Sequence, residues 1–291
     1  MDTTELLKKV RKIEIRTKGL VNQIFSGEYH SVFKGRGMAF SEVREYQFGD
    51  DIRMIDWNVS ARFNHPYIKI FEEERELTLM LLVDVSGSGE FGTVHQLKKD
   101  IATELCAVLA FSALKNNDKV GVILFSDVVE KFIPPKKGRT HILRIVRELL
   151  DFQPVHRETN ITEGLRYLTS AIKKRSIAFV ISDFLSDGYD DALKIAAKKH
   201  DLVGIHLYDP REAELPSSGL MRVLDAETRE AIWVDTSDRV VRDGYSRWWK
   251  QQQEARQKLF RRTGVDAIHI RIDQSYIQPL VSFFRLREKR W

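Results

Sequence analysis

The clearest periodic signal in the chain begins at Leu77. The run Leu77-Thr78-Leu79-Met80-Leu81-Leu82-Val83 is almost wholly apolar and is closed by Asp84. It is too short to span a bilayer and suits a central strand buried on both faces, as parallel sheets require. Helical stripes and short apolar runs then alternate. The pattern predicts helices over about Leu97 to Leu114, Thr140 to Leu150, Ile161 to Ala171 and Tyr189 to Lys198. It predicts strands at Lys119 to Phe125, Val128 to Ile133, Ser176 to Ser182 and Leu202 to Tyr208. Such alternation gives an α/β fold, a doubly wound, mostly parallel sheet with helices on both faces.

Residues 209–237 break the rhythm. Leu220 to Leu224 and Glu230 to Val234 flank Asp225-Ala226-Glu227-Thr228, which predicts an inserted β-hairpin. A polar helix around Gly244 to Arg262, closed by Gly264, comes next. An edge strand at Val265 to Ile272 and a terminal helix at Ile277 to Arg287 complete the pattern. Upstream, residues 4–18 read as a basic helix carrying Leu6, Leu7, Val10 and Ile13. From Gly19 to Phe71 the pattern is irregular, with Gly27, Gly35, Gly37 and Gly49 as turn points and short β segments between them. The expected division is an N-terminal helix and small β-rich portion over residues 1–75, then the α/β domain with its hairpin insertion over residues 76–291.

Composition narrows the function classes. At 291 residues and 43% hydrophobic, the chain can bury a substantial core. Its 47 basic and 42 acidic residues are interleaved, so the formal charge of +5 gives no continuous stripe for nucleic acid. The single cysteine, Cys106, excludes an intrachain disulfide framework; it falls on an apolar helical stripe and reads as core. The acidic, polar N-terminus lacks the apolar core of a signal peptide, so a cytoplasmic protein without stable membrane insertion is expected.

The candidate chemistry lies at the carboxyl ends of the predicted strands, where open α/β sheets place their ligand sites. In Asp84-Val85-Ser86-Gly87-Ser88 the oxygen-bearing residues alternate, so an extended loop aims three of them at one point. Thr159 lies in the loop before the next predicted helix, and Asp183 ends the strand Ala178 to Ser182. Asp84, Ser86, Ser88, Thr159 and Asp183 thus offer hydroxyl and carboxylate oxygens from separate loops on one sheet edge. A hard cation such as Mg²⁺ prefers such ligands and keeps some of its own water. Mn²⁺ and Ca²⁺ are alternatives. Taken singly, Ser and Asp after a strand are ordinary turn and cap residues.

The combined elements resemble the metal-ion-dependent adhesion site of von Willebrand factor A domains. That resemblance implies direct cation binding by Ser86 and Ser88 and direct or water-mediated binding by Thr159. Asp84 and Asp183 would hold coordinating waters, and an acidic residue of a partner would complete the sphere. Gly89 stands where the family commonly has Met, at a position that is not a ligand.

A second signature precedes it. From Arg44 to Arg62 charged and aromatic residues alternate densely. Asp50, Asp51 and Asp56 against Arg44, Arg53 and Arg62 suggest an ion-pair network, with Tyr46 and Trp57 packed over it. Glycosidase-like or nuclease-like chemistry is the minor alternative for the paired acids. This stretch resembles the bacterial domain-of-unknown-function family 58. The resemblance continues through Phe71-Glu72-Glu73-Glu74-Arg75, Asp84 to Ser88, Asp118-Lys119-Val120-Gly121, Phe125-Ser126-Asp127, Pro134-Pro135 and Gly138-Arg139-Thr140. It implies a cation-dependent protein-interaction module, an adaptor or co-chaperone acting with a MoxR-type AAA+ ATPase or its client. The alternatives are a metal-independent structural scaffold or a metal-assisted hydrolase. For the last, the sequence offers no evident general base or nucleophile beside the site.

Other residues yield less. His65 and His95 have no partner at zinc-ligand spacing. Gly35-Arg36-Gly37 does not open a helix and is no phosphate loop. Trp248 and Trp249 crowd the helix after the hairpin, and Trp291 ends a basic tail.

Overall fold

The computed structural model describes residues 3–24, 39–72, 77–92 and 96–289. Gly27, Gly35, Gly37, Glu73 to Arg75, His95 and Trp291 lie outside the described residues. The described chain comprises α1 (Thr3–Ile24), β1 (Ala39–Glu45), α2 (Trp57–Phe63), β2 (Tyr67–Glu72) and β3 (Thr78–Asp84). Then follow α3 (Lys98–Lys115), β4 (Lys119–Phe125), β5 (Val129–Lys136), α4 (Arg139–Asp151), α5 (Ile161–Ala171) and β6 (Ile177–Ser182). The remainder is α6 (Asp190–Lys199), β7 (Asp201–Tyr208), β8 (Leu220–Leu224), β9 (Ala231–Asp235), α7 (Arg239–Thr263), β10 (Asp266–Arg271) and α8 (Ile277–Glu288).

Two compact units emerge. The segment from Phe33 to Leu77 forms one, and α1 belongs with everything from Thr78 onward.

In the larger unit a six-stranded sheet runs in the order β10-β7-β6-β3-β4-β5. All its pairings are parallel except β4 with β5, which is antiparallel. The apolar run at β3 thus occupies an interior position, buried along Leu79 to Val83. Its side chains alternate between two cores. Met80 and Leu82 join Ile123, Phe125, Leu165, Leu168 and Val180 under α5, α6 and α7. On the other face α3 covers the sheet, and α1, α4 and α8 pack around it. The strand at β5 carries Pro134 and Pro135, whose missing N–H groups an edge position tolerates because no further strand needs a donor there.

Helix ends follow local chemistry. Asn160 caps α5 by accepting from the Glu163 N–H. Gly264, with φ of 72°, closes α7 in the left-handed conformation that glycine adopts without strain. In α1 the inward stripe is Leu6, Val10, Glu14, Thr17 and Val21, whereas Leu7 faces out. The buried Glu14 carboxylate accepts from Arg139 Nε at 2.7 Å, joining α1 to the first residue of α4.

The smaller unit is a two-stranded antiparallel pair, β1 with β2, plus α2. Of the ion-pair network expected there, the Arg44–Asp50 pair forms, with two hydrogen bonds at 2.9 and 2.7 Å. Asp51 instead caps the turn Ile52–Met54, and Asp56 caps α2 while pairing with Lys69 at 3.4 Å. Trp57 is 68% exposed and does not cover the acids. Asp before a helical turn is a natural cap, and that local role prevailed over pairing with distant arginines.

Candidate functional site

Three loops converge at the carboxyl edge of the larger sheet. The loop after β3 is stitched to its neighbours by backbone bonds. The Val85 N–H donates to the Phe125 carbonyl at 2.9 Å and the Gly87 N–H to the Arg157 carbonyl at 2.8 Å. The Asn160 N–H donates to the Ser126 carbonyl at 2.8 Å. These bonds place the β3 loop, the β4 end and the Arg157–Asn160 segment side by side. On the other flank, β6 ends at Asp183, and Phe184 takes φ of 55°, a left-handed turn that only tight surroundings impose on a phenylalanine.

Asp84, Ser86, Ser88 and Asp183 come together as expected. The Ser86 and Ser88 hydroxyl oxygens lie 3.1 Å apart. Asp84 Oδ1 accepts from the Ser86 N–H at 3.0 Å, and its Oδ2 accepts from the Ser182 hydroxyl at 2.7 Å. Burial, reinforced by the nearby Asp183 carboxylate, pushes the Asp84 carboxyl up to about 6. Asp183 Oδ1 accepts from the Leu185 N–H at 3.2 Å. Its Oδ2 accepts from Lys98 Nζ at 3.0 Å. Thr159 stands on the adjoining segment, but its hydroxyl donates to Glu227 Oε1 at 2.6 Å.

Four further charged groups complete the site. Lys98 opens α3, is only 3% exposed, and its ammonium also pairs with Glu212. Burial alone would lower the Lys98 pKa, but the facing Asp183 and Glu212 carboxylates outweigh it and raise it. Burial would likewise raise Asp183, yet the Lys98 ammonium, with help from the Ser88 hydroxyl and the Leu185 N–H, holds it below the usual carboxylate range. Glu212 ends the turn Pro210–Glu212 after β7 and is raised by burial, against the pull of Lys98. Glu227 sits in the turn of the β8–β9 hairpin, which closes over the β3 loop. Behind the site, buried Arg256 of α7 donates to the Asp183 carbonyl at 3.3 Å.

Lys98, Glu212, Glu227 and Arg256 carry no sequence signal of their own. Each is a charged residue in a segment that reads as a solvated face, and only tertiary contact reveals the role.

The hairpin turn presses on the site closely enough to dictate a glycine. A Cβ added at Gly87 would lie 2.2 Å from the Ala226 carbonyl oxygen. Gly87→Ala is therefore expected to lift the 225–228 turn and cost about 1–2 kcal/mol. Faster hydrogen exchange at Glu227 and Thr228, with a lowered melting temperature, is the result to look for. Unchanged exchange there would contradict the close packing.

The oxygens suit a divalent cation in kind, and the paired hydroxyls suit it in spacing, but the Lys98 ammonium already stands on Asp183 where a cation would. Each carboxylate oxygen of Asp84 and Asp183 already accepts from a donor of the chain, and the donor on Asp183 Oδ2 is itself a cation. The cavity between Asp84, Ser88, Lys98 and Asp183 is about 20 Å³, room for a single water. Among the described residues no cluster of His, Cys, Asp or Glu is assembled to hold a metal.

The sheet order, the flanking helices and the strand-edge loops define a von Willebrand factor A-like fold with a small β-rich companion and an inserted hairpin. The chain belongs to the family described as protein of unknown function DUF58, whose profile matches residues 42–255. The uncharacterized protein Rv1480 of Mycobacterium tuberculosis is 27% identical, over 99% of this chain and 92% of that one. Among solved structures, the conserved hypothetical protein BatB from Bacteroides thetaiotaomicron aligns with 73% of this chain and 99% of its own, at 17% identity and a TM-score of 0.49. The VWA domain of SpRpn10 aligns with 72% of this chain and 95% of its own, at 12% identity and a TM-score of 0.42. No helix among the described residues is long and apolar enough to cross a membrane.

Proposed function

We propose that this chain is a protein-interaction module, a scaffold or adaptor that docks a partner through the β8–β9 hairpin without needing a divalent cation. The observation that carries this reading is the outer face of the hairpin. Arg222 pairs across the ladder with Trp233, and Leu220 and Leu224 flank Arg222 on the same face. Leu220, Leu224 and Trp233 are exposed, Trp233 by 67%. Exposed apolar side chains grouped around an arginine and a tryptophan are the composition of interface hot spots. Ile232, also exposed, extends the apolar surface on the opposite face.

A catalytic reading has less support. Ligand pockets usually enclose several hundred Å³, whereas the strand-end cavity is about 20 Å³. The polar groups around it are engaged with each other, and none stands as a base beside an activated nucleophile. The partner suggested by family resemblance is a MoxR-type AAA+ ATPase.

The test is a pull-down with wild-type protein and Trp233→Asp, each in Mg²⁺ and in EDTA, with captured proteins identified by mass spectrometry. The expected result is one partner set, the same in both media and lost with Trp233→Asp. Capture only in Mg²⁺ would overturn the metal-independent reading. Capture unaffected by Trp233→Asp would remove the hairpin as the docking face.

A further inference from the structure

The position of Lys98 is locally unfavourable. It is the first residue of α3, where the free N–H groups and the helix dipole repel a positive charge. Its side chain is buried as well, and a lone buried ammonium is costly. Neither helix propensity nor solvation accounts for it. What compensates is the set of acids delivered by other loops: Asp183 from the end of β6 and Glu212 from the turn after β7. The ammonium thus gathers two strand-end loops and the start of α3 at one point, the cross-linking that a bound metal ion performs in a site of this shape.

We propose that the Lys98 ammonium is the resident cation of the strand-end site, excluding divalent metal, and that removing its charge opens a latent divalent-cation site on Ser86, Ser88 and Asp183. The argument is one of charge. A metal ion approaching the serine hydroxyls would meet a fixed positive charge hydrogen-bonded to the same Asp183 carboxylate. Repulsion at such short range, in a buried setting, is strong. The ammonium cannot swing into solvent to make room without taking its counter-charge from the half-buried Glu212 carboxylate. With the charge gone, Asp84, Asp183, Glu212 and Glu227 leave the site rich in carboxylates, and the two hydroxyls already stand 3.1 Å apart. Neutral side chains there leave a hard cation as the natural counter-charge.

The inference stands apart from partner docking, because metal uptake is read on the purified full chain alone. Mn²⁺ is titrated into wild type, Lys98→Gln, Lys98→Arg and the double variant Lys98→Gln with Ser88→Ala. Free Mn²⁺ is followed by electron paramagnetic resonance and folding by circular dichroism. Wild type and Lys98→Arg are expected to leave Mn²⁺ free. Lys98→Gln is expected to take up one equivalent, at least about tenfold more tightly than wild type, and to melt higher when Mn²⁺ is present. The double variant should lose that uptake. Stoichiometric binding by wild type that disappears in a single Ser88→Ala variant, titrated alongside, would overturn the proposal. So would a folded Lys98→Gln that binds no Mn²⁺. Should Lys98→Gln not fold at all, Mn²⁺ is added during refolding: recovery of the fold supports the latent site, and failure to recover it refutes it.

Discussion

Phe125→Ala is expected to destabilise the protein by about 3–5 kcal/mol in a urea titration, the range for removing a fully buried aromatic ring. Phe125 ends β4 with no exposed surface, and its ring fills the space that Gly164 of α5 leaves open. A Cβ at Gly164 would lie 3.0 Å from that ring, so helix and strand are in contact with no slack. Interiors packed this tightly relax only partly around a deletion, and the cavity adds to the lost transfer energy. The same residue reaches the site through its backbone, since its carbonyl accepts the Val85 N–H at 2.9 Å. Alanine keeps that carbonyl but loosens the strand end that carries it, so amide exchange at Val85 should quicken along with the global loss. A cost below about 1 kcal/mol would show that α5 can collapse onto the sheet and that the ring is not what spaces them.

The difference between what the sequence disclosed and what it hid has a physical pattern. The strands β3, β4, β6 and β7 were legible because burial on both faces demands continuous apolar runs. The convergence of Asp84, Ser86, Ser88 and Asp183 followed, since parallel strands deliver their carboxyl ends to one edge. The N-terminal helix was foreseen but ends later, at Ile24, and α2 was missed inside an irregular stretch. Seven residues with an exposed Trp57 at the start leave no amphipathic period to detect. The electrostatic state of the site was hidden for another reason. Lys98 meets Asp183 across 85 residues of chain and Glu212 across 114. A lysine beside Lys99 and Asp100 reads as part of a solvated helix start, and only the tertiary fold buries one of the three. The expected oxygens are present, while the charge that they face could not be read from their spacing.

Acid should erode stability through the buried His200 and His206, and through His269 and Asp183. The raised carboxyls of Asp84, Glu212 and Glu227 work the other way, and a single substitution isolates His200. His200 follows α6, is 1% exposed, and its Nδ1 lies 2.9 Å from the Ser176 hydroxyl. Burial, with the positive charges of Lys199 and Arg175, pulls its pKa down to about 4. The unfolded chain, with an ordinary histidine near 6.5, therefore binds the proton that the folded chain refuses. By linkage this contribution is intact above the unfolded value and is lost as pH falls from about 6.5 through about 4. His206, buried beside Arg256 and His269, is lowered for the same reasons and acts in the same direction. Asp84 has the opposite sign: its folded value lies above that of the unfolded chain, so protonation between the two favours folding as pH drops. The total curve is a difference of these effects, which is why the wild-type profile alone is not diagnostic. His200→Gln removes one proton site and leaves the others. The stability advantage of wild type over this variant should shrink by about 2 kcal/mol between about pH 7 and pH 4, after allowing for screening by water near the charged neighbours. A parallel pair of profiles would mean that His200 takes up its proton in the folded state, and that the Ser176 contact breaks long before the fold does.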